Sequence, residues 1–114
     1  MREIKFRGKV DGQWWYATFN DSNEGEWEQF WALVDRKTVG QWTGITDQNN
    51  KPVYEGDIVK WSTYPENPKV RAYIREVQWS DTEARFKPDG MGDDPVVEVI
   101  GNIYENPDLL ERKP

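Results

Sequence analysis

Polar and apolar residues alternate from the first strand-like segment of the chain. Residues 4–7 place Ile and Phe on one side and Lys and Arg on the other, the period of two typical of a half-buried strand. The dipeptide Asp11-Gly12 follows and readily adopts the positive φ angles of a type I′ turn. Residues 14–19 are rich in aromatic side chains, which favour strands. The pattern predicts an N-terminal β-hairpin.

The segment 20–36 fits two structures. Turn-forming residues come first, and Trp27, Phe30, Trp31 and Val34 then recur at intervals that match one face of a short helix. A strand of bulky residues fits the same positions, so the pattern leaves helix and strand open for this segment.

Further short strands are expected in the centre of the chain. Residues 38–44 are strand-like and end at Gly44, and turn formers follow them. Gly56 before Asp57 indicates a bend with positive φ, after which a strand begins near Asp57 and runs to Trp61. This arrangement is typical of small β-barrels.

Apolar residues change parity in the next strand-like region. They stand at even positions up to Ile74 and at odd positions from Val77 to Trp79. We therefore expect a bulge or bend between Arg75 and Val77, with Ile74 and Trp79 both facing the core.

The last third of the chain predicts a loop, a strand and a helix. Residues 87–95 hold two Pro and two Gly and indicate a loop, whereas 96–103 form a β-branched run with a bend at Gly101. Asn106-Pro107 is typical of a helix start. The chain thus predicts a single all-β domain over residues 1–114, with an N-terminal hairpin and a short C-terminal helix.

The composition limits which catalytic and metal-binding side chains the protein can use. The chain has no Cys and no His, which removes thiol nucleophiles, imidazole bases and the commonest zinc ligands. Carboxylates are the remaining candidates, as the pairs Glu55 with Asp57 and Asp93 with Asp94, and turn capping explains them better than a bound cation. We expect no enzyme, no cofactor and no metal.

The first residues lack the apolar run of a signal peptide, and no apolar stretch is long enough to span a bilayer. We therefore expect a cytoplasmic protein with no membrane partner. The net charge of −6 opposes nonspecific binding to nucleic acid, although the first nine residues are locally basic.

Two sets of residues are candidate binding sites. The first is a basic and aromatic strand face beside the end of another strand, and it comprises Trp61, Lys69, Arg71, Tyr73 and Arg75. Small barrels bind single-stranded nucleic acid through such faces, but a solvated outer face is the favoured interpretation because the chain is acidic.

The second set is the adjacent pair Trp14 and Trp15. Neighbours on a strand point to opposite faces, so one ring is expected at an interface unless segment 20–36 covers it. Seven tryptophans are more than a domain of this size fully buries.

Three stretches together resemble the YopX family of phage and prophage proteins. They are residues 1–7 (MREIKFR), 42–47 (WTGITD) with 54–59 (YEGDIV), and 99–110 (VIGNIYENPDLL). The resemblance implies a compact β fold with an SH3-like small barrel, association of several copies, a gene on a mobile element and therefore the host cell cytoplasm. It implies no reaction and supplies no catalytic residues.

The function predicted from these observations is a noncatalytic phage or prophage module that binds a host or phage protein and forms a homo-oligomer. In one variant the acidic surface imitates DNA. The alternative function is a small β-barrel that binds single-stranded nucleic acid in phage replication or regulation.

Overall fold

The computed structural model describes residues 4–19, 24–62, 73–87 and 96–110, which are mostly β-strands in antiparallel sheets. The strands are β1 Ile4–Val10, β2 Gln13–Phe19, β3 Asp35–Thr46, β4 Pro52–Tyr54, β5 Asp57–Ser62, β6 Tyr73–Glu76, β7 Gln78–Ser80, β8 Arg85–Lys87 and β9 Val96–Asn102. An α-helix, α1, spans Glu24–Leu33, and a 3₁₀ helix spans Pro107–Leu110.

Two compact units make up the chain, residues 1–42 and residues 43–114. The sheet orders are β2-β1-β3-β4, β6-β5-β9 and β7-β8, and β3 begins in the first unit and ends in the second. The mostly β prediction is confirmed, as are the N-terminal hairpin and the short C-terminal helix. Within the described ranges none of these sheets closes into a barrel.

The N-terminal hairpin forms as the sequence predicts. Asp11 and Gly12 have φ angles of 51° and 80°, and a type I′ turn requires positive φ at both of its central residues. The turn pairs Val10 with Gln13 and continues in register to the pair Ile4 and Phe19. Side chains therefore alternate between the two faces of the hairpin along its whole length.

Segment 24–33 is a helix, which settles the choice that the sequence left open. Phe6 of the hairpin contacts the rings of Trp27 and Trp31, with centroids 5.3 and 6.0 Å apart. Phe30 and Val34 are buried with Val10 and complete this core. The first unit thus buries a few bulky anchors, because aromatic rings supply large apolar area in a short helix.

Gly8 lets the segment that follows the helix, and β3 beyond it, pack closely against the hairpin. A Cβ atom at this position would collide with Cγ2 of Val34 and would lie 3.1 Å from Cγ2 of Val39. Both neighbours are β-branched side chains with few alternative rotamers, so they cannot easily move away.

We expect Gly8→Ala to lower the free energy of unfolding by about 1–3 kcal/mol, the usual cost of overpacking a core. Chemical denaturation followed by tryptophan fluorescence measures the change. Gly25→Ala is the matched control, since nothing lies within 4 Å of a Cβ there. Equal stability of the two variants would show that this segment does not pack closely on Gly8.

Strand β3 carries an irregularity opposite β1. The register changes between the pairs Arg7 with Gly40 and Lys9 with Asp35, and Thr38 lies in the inserted stretch. The Lys9 backbone N–H donates to the Thr38 hydroxyl over 2.7 Å, and that hydroxyl donates to the Asp35 carbonyl over 2.6 Å. The side chain thus bridges the ladder where backbone pairing is interrupted.

A valine cluster forms the core of the second unit. Its buried members are Val53, Val59, Val77 and Val97. Strand β5 lies between β6 and β9, and all its pairs are antiparallel. Among the described residues, the cluster at the centre of the second unit is thus built from β-branched side chains, with Tyr54 and Ile58 also buried in that unit.

The predicted interruption after Arg75 is confirmed, but one of its consequences is wrong. Strands β6 and β7 are separated at Val77, which is buried and whose N–H donates to the Asp57 carbonyl over 2.8 Å. Trp79 does not face the core: it is 45% exposed and packs on Phe86 of β8, with ring centroids 5.0 Å apart. Once the strand breaks, β7 and β8 form their own hairpin with a separate face.

The bend predicted near Gly101 appears as a bulge in β9. Ile58 pairs with Gly101 and Val59 pairs with Val99, so Ile100 is the extra residue. The 3₁₀ helix follows, and the Leu109 N–H donates to the Asn106 carbonyl over 3.1 Å. Of the predicted loop over residues 87–95, Lys87 is the last residue of β8, and residues 88–95 lie outside the described residues.

Candidate functional site: aromatic surfaces of the hairpin

The two predicted tryptophans of β2 point to opposite faces of the hairpin. Trp14 is half-buried and contacts two cations: the guanidinium carbon of Arg7 lies 4.2 Å and the Lys9 Nζ lies 5.0 Å from its ring centroid. Trp15 is 40% exposed on the side that carries the helix. Segment 24–33 therefore does not cover Trp15 completely, and the interface expected for one ring of this pair stays a prediction.

Exposed apolar side chains line the outer part of the helix side. Ile4 and Phe19 face each other as the last pair of the hairpin, and both are exposed, as is Trp15 on the same face of β2. Phe19 also contacts Trp27 of the helix, with ring centroids 5.1 Å apart. We call Ile4, Trp15 and Phe19 the hairpin rim.

The opposite side of the hairpin combines cations with aromatic rings. Lys5, Arg7 and Lys9 alternate along β1, and the Lys5 Nζ lies 5.2 Å from the ring centroid of Trp42 on β3. Tyr16 is the cross-strand neighbour of Arg7 and is the most exposed aromatic residue of the described chain, at 62%. We call this surface the cationic face; its members are Lys5, Arg7, Lys9, Trp14, Tyr16 and Trp42.

The structure describes only part of the basic and aromatic site predicted from the sequence. Tyr73 and Arg75 are exposed on one face of β6, and the guanidinium carbon of Arg75 lies 4.9 Å from the centroid of the Tyr73 ring. Trp61 stands near the end of β5 and its backbone pairs with Tyr73. Lys69 and Arg71 lie outside the described residues.

The cationic face was not among the candidates drawn from the sequence. The signal for it was present in the basic excess of the first nine residues. Its aromatic members became neighbours of those cations only through the pairing of β1 with β2 and β3, because cross-strand contacts depend on register.

Thr43 and Gly44, which belong to the central YopX-like stretch of residues 42–47, have structural roles in the backbone. The Thr43 hydroxyl donates to the Val53 carbonyl over 2.9 Å and accepts from the Ile45 N–H over 3.2 Å. Gly44 adopts a φ of 88°, a conformation that other residues rarely occupy. Both residues thus fix the path of the chain between β3 and β4.

Asp47 organises the loop after β3. Its Oδ1 accepts hydrogen bonds from the N–H groups of Asn49 and Lys51 over 2.8 and 2.9 Å, and its Oδ2 accepts from Val99 over 2.9 Å. The side chain is buried. Burial acts to raise its pKa, but the three backbone bonds and the charge of Lys51 outweigh it and lower the pKa from 3.8.

The second part of the motif is also structural. Asp57 is 2% exposed, and its Oδ2 accepts the Tyr54 N–H over 2.8 Å. Gly56 has the predicted positive φ, at 88°, and is buried. Its N–H donates to the Val77 carbonyl and its carbonyl accepts from the Ile103 N–H, each over 2.9 Å.

In the C-terminal YopX-like stretch of residues 99–110, the Asn102 side chain is hydrogen-bonded to the residues that follow it. Its Oδ1 accepts from the N–H groups of Tyr104 and Glu105 over 3.0 and 2.9 Å, and its Nδ2 donates to Glu105 Oε2 over 3.1 Å. Asn106 Oδ1 accepts from the Asn102 N–H over 3.3 Å and would lie only 2.6 Å from a Cβ at Gly101. The motif therefore builds a tight turn.

Carboxylates show no cation-binding arrangement where side chains are described. Glu55 and Asp57 do not belong to any cluster of three or more acidic residues that could hold a metal ion in the described ranges. Asp93 and Asp94 lie outside those ranges. Nor does the described part contain a helix long and apolar enough to cross a membrane.

The family described as YopX protein matches residues 2–111, nearly the whole chain. The chain belongs to the YopX family. No curated protein matches this YopX-family chain.

A solved structure similar to this YopX-family chain is the crystal structure of protein EF1440 from Enterococcus faecalis. It is 25% identical in sequence, the alignment covers 94% of this chain and 74% of that one, and the TM-score is 0.48.

Proposed function

We propose that this YopX-family chain is a noncatalytic, phage- or prophage-encoded module that binds protein through the hairpin rim. The observation that carries the proposal is the exposure of Ile4, Trp15 and Phe19 together on one face. Exposed aromatic side chains are the residues most enriched at protein interfaces. Host and phage proteins are the partners expected for such a module in the host cell cytoplasm.

The structural roles of polar residues in the YopX-like stretches support a noncatalytic function. Asp47 and Asp57, the buried carboxylates of the central motif, accept backbone hydrogen bonds, and Asn102 does the same at the end of the chain. Groups that hold the fold in this way are less available to a substrate.

A second copy of the chain is the partner that the strand order favours. Strand β2 stands last in the sheet order β2-β1-β3-β4. Proteins protect such edge strands with charges, Pro, bulges or short length. Strand β2, with the sequence QWWYATF, is seven residues long, carries no charge or Pro, and pairs in unbroken register. Two copies therefore meet there without like-charge repulsion, although the whole chain is acidic.

Sedimentation equilibrium tests self-association. The wild type is expected at a multiple of 13.5 kDa, with an interface that buries more than about 1,000 Å² in total. Trp15→Ser should shift the mass towards the monomer because it removes the exposed tryptophan of the rim. Trp79→Ser is the matched control, since Trp79 is similarly exposed but lies on β7 in the second unit. A wild-type monomer at high micromolar concentration would exclude the second copy and leave a host or phage protein as the occupant.

We propose that the second unit is an SH3-like small barrel within one domain of 114 residues. Its support is the run of short antiparallel strands around β5, the positive φ of Gly56 at the start of that strand, and the bulge that bends β9.

Single-stranded nucleic acid is the second candidate partner. Its support is the contact between the Arg75 guanidinium and the exposed ring of Tyr73 on β6, because single-strand binders combine cations with stacking rings. Loss of oligonucleotide binding in Tyr73→Leu would support that face, and unchanged binding would exclude it.

A further inference from the structure

We propose that the cationic face of the first unit binds single-stranded nucleic acid. This inference does not rest on the protein-binding proposal, because the hairpin rim and the cationic face lie on opposite sides of the hairpin. It also differs in place from the predicted face on β6, which belongs to the second unit.

The spacing of the cations fits an extended polyanion. Lys5, Arg7 and Lys9 occupy alternate positions of β1, and alternate residues of a strand stand about 7 Å apart. Arg7 is buried between the two lysines, so Lys5 and Lys9 are the cations that a phosphate can reach, and they stand about 14 Å apart. Alongside them on the same face of β2 lie the rings of Trp14 and Tyr16 and the side chain of Thr18. A nucleic-acid strand laid along the hairpin would place phosphates on one row and bases on the other.

The members of the cationic face have two roles: some hold the surface in place, and others are positioned to contact a nucleic-acid strand. Arg7 is buried and its guanidinium lies over Trp14. This pair therefore holds the cationic face in shape and does not itself contact a ligand. Tyr16 is exposed and offers its ring to a base. Lys5 and Lys9 are half-buried, and their Nζ atoms lie over the rings of Trp42 and Trp14. Single-strand binders combine the same two elements, stacking rings and a basic track.

The hairpin is locally basic, although Asp35 of β3 is the cross-strand neighbour of Lys9 on the cationic face. Residues 4–19 contain three basic residues and one acidic residue, a local balance of +2 in a chain of net charge −6. The glutamates Glu26 and Glu28 belong to the helix, which packs on the rim side. Three cation–π contacts on one face also exceed the one or two expected for a whole chain of this length. The positive charge is thus concentrated where the aromatic rings are.

Fluorescence anisotropy of a labelled oligothymidylate, measured from low salt upwards, tests the inference. The wild type is expected to bind at low salt and to weaken about sevenfold between about 50 and 200 mM salt if two phosphates are neutralised. Lys5→Gln with Lys9→Gln should reduce the slope of log K against log salt by about 1.4. Tyr16→Leu should weaken binding at least about fivefold at every salt concentration, since it removes a stacking ring.

Lys51→Gln with Lys60→Gln is the control, because it changes the net charge equally at exposed positions of the second unit and should leave the salt slope unchanged. Thermal melting establishes that each variant is folded. Three results would overturn the inference: no wild-type binding at low salt, an equal loss in the control, or binding that survives the Lys5 and Lys9 changes but is abolished by Tyr73→Leu. The sedimentation mass of Trp15→Ser does not enter these outcomes, so the protein-binding proposal stands or falls separately.

Discussion

Gly56→Val is expected to lower the free energy of unfolding by about 3 kcal/mol. Two costs add: a β-branched residue is strained at a φ of 88°, and the new side chain meets Tyr104, whose Cε2 would lie 3.1 Å from its Cβ. The position is also fixed by hydrogen bonds to Val77 and Ile103, so the backbone cannot relax without breaking them. Chemical denaturation measures the change.

Gly12→Val separates the two costs. Gly12 has a similar φ of 80°, but nothing lies within 4 Å of a Cβ there. This control should show the backbone strain alone and remain more stable than Gly56→Val. Equal losses in the two variants would mean that Tyr104 moves aside freely and that packing around Gly56 contributes nothing.

Asp47→Ala is expected to cost about 4 kcal/mol of unfolding free energy. The substitution leaves the N–H groups of Asn49, Lys51 and Val99 without their carboxylate acceptor. Hydrogen bonds to a charged group contribute a net of about 1.5–3 kcal/mol each, and the loss falls short of the sum because water reaches part of the loop. Asp47→Asn should cost about half as much because one amide oxygen remains to accept. A loss below 1 kcal/mol in Asp47→Ala would show that the loop does not depend on this side chain.

The same carboxylate predicts an acid response with a definite sign. The folded-state pKa of Asp47 lies below 3.8, so the unfolded chain binds its proton first as the pH falls. The stabilisation is fully present above the unfolded pKa of about 3.9 and is lost as the pH falls through the folded pKa. The free energies of unfolding of the wild type and Asp47→Asn should therefore converge at low pH. A difference that stays constant down to the lowest pH at which both proteins remain folded would show that the Asp47 carboxylate does not stabilise the fold.

Features fixed by a few neighbouring residues could be predicted from the sequence. The positive φ angles of Asp11 and Gly12 follow from turn chemistry, and that of Gly56 from the bend that feeds β5. The choice between helix and strand for segment 24–33 could not be made from the sequence, because Trp27, Phe30 and Trp31 suit a helix face and a bulky strand equally. Packing of these rings on Phe6 decides in favour of the helix.

Features that depend on pairing between distant strands could not be predicted in the same way. Parity placed Trp79 in the core because one continuous strand was assumed, whereas the break at Val77 gives β7 a separate partner in β8. Lys5 and Trp42 are far apart in sequence, and only the order β2-β1-β3 brings a cation on β1 over a ring on β3. The candidate surfaces therefore depend on sheet register, which local patterns do not specify.

Hydrogen–deuterium exchange at increasing protein concentration tests most directly whether the hairpin rim is a binding surface. If two copies meet along β2, amides in Gln13–Phe19 should exchange more slowly as the concentration rises, and Trp15→Ser should abolish this concentration dependence. Amides in the β7–β8 hairpin should not respond in either protein. Exchange in β2 that is the same at every concentration, in a wild type whose mass remains 13.5 kDa, would contradict the proposed self-association through the rim.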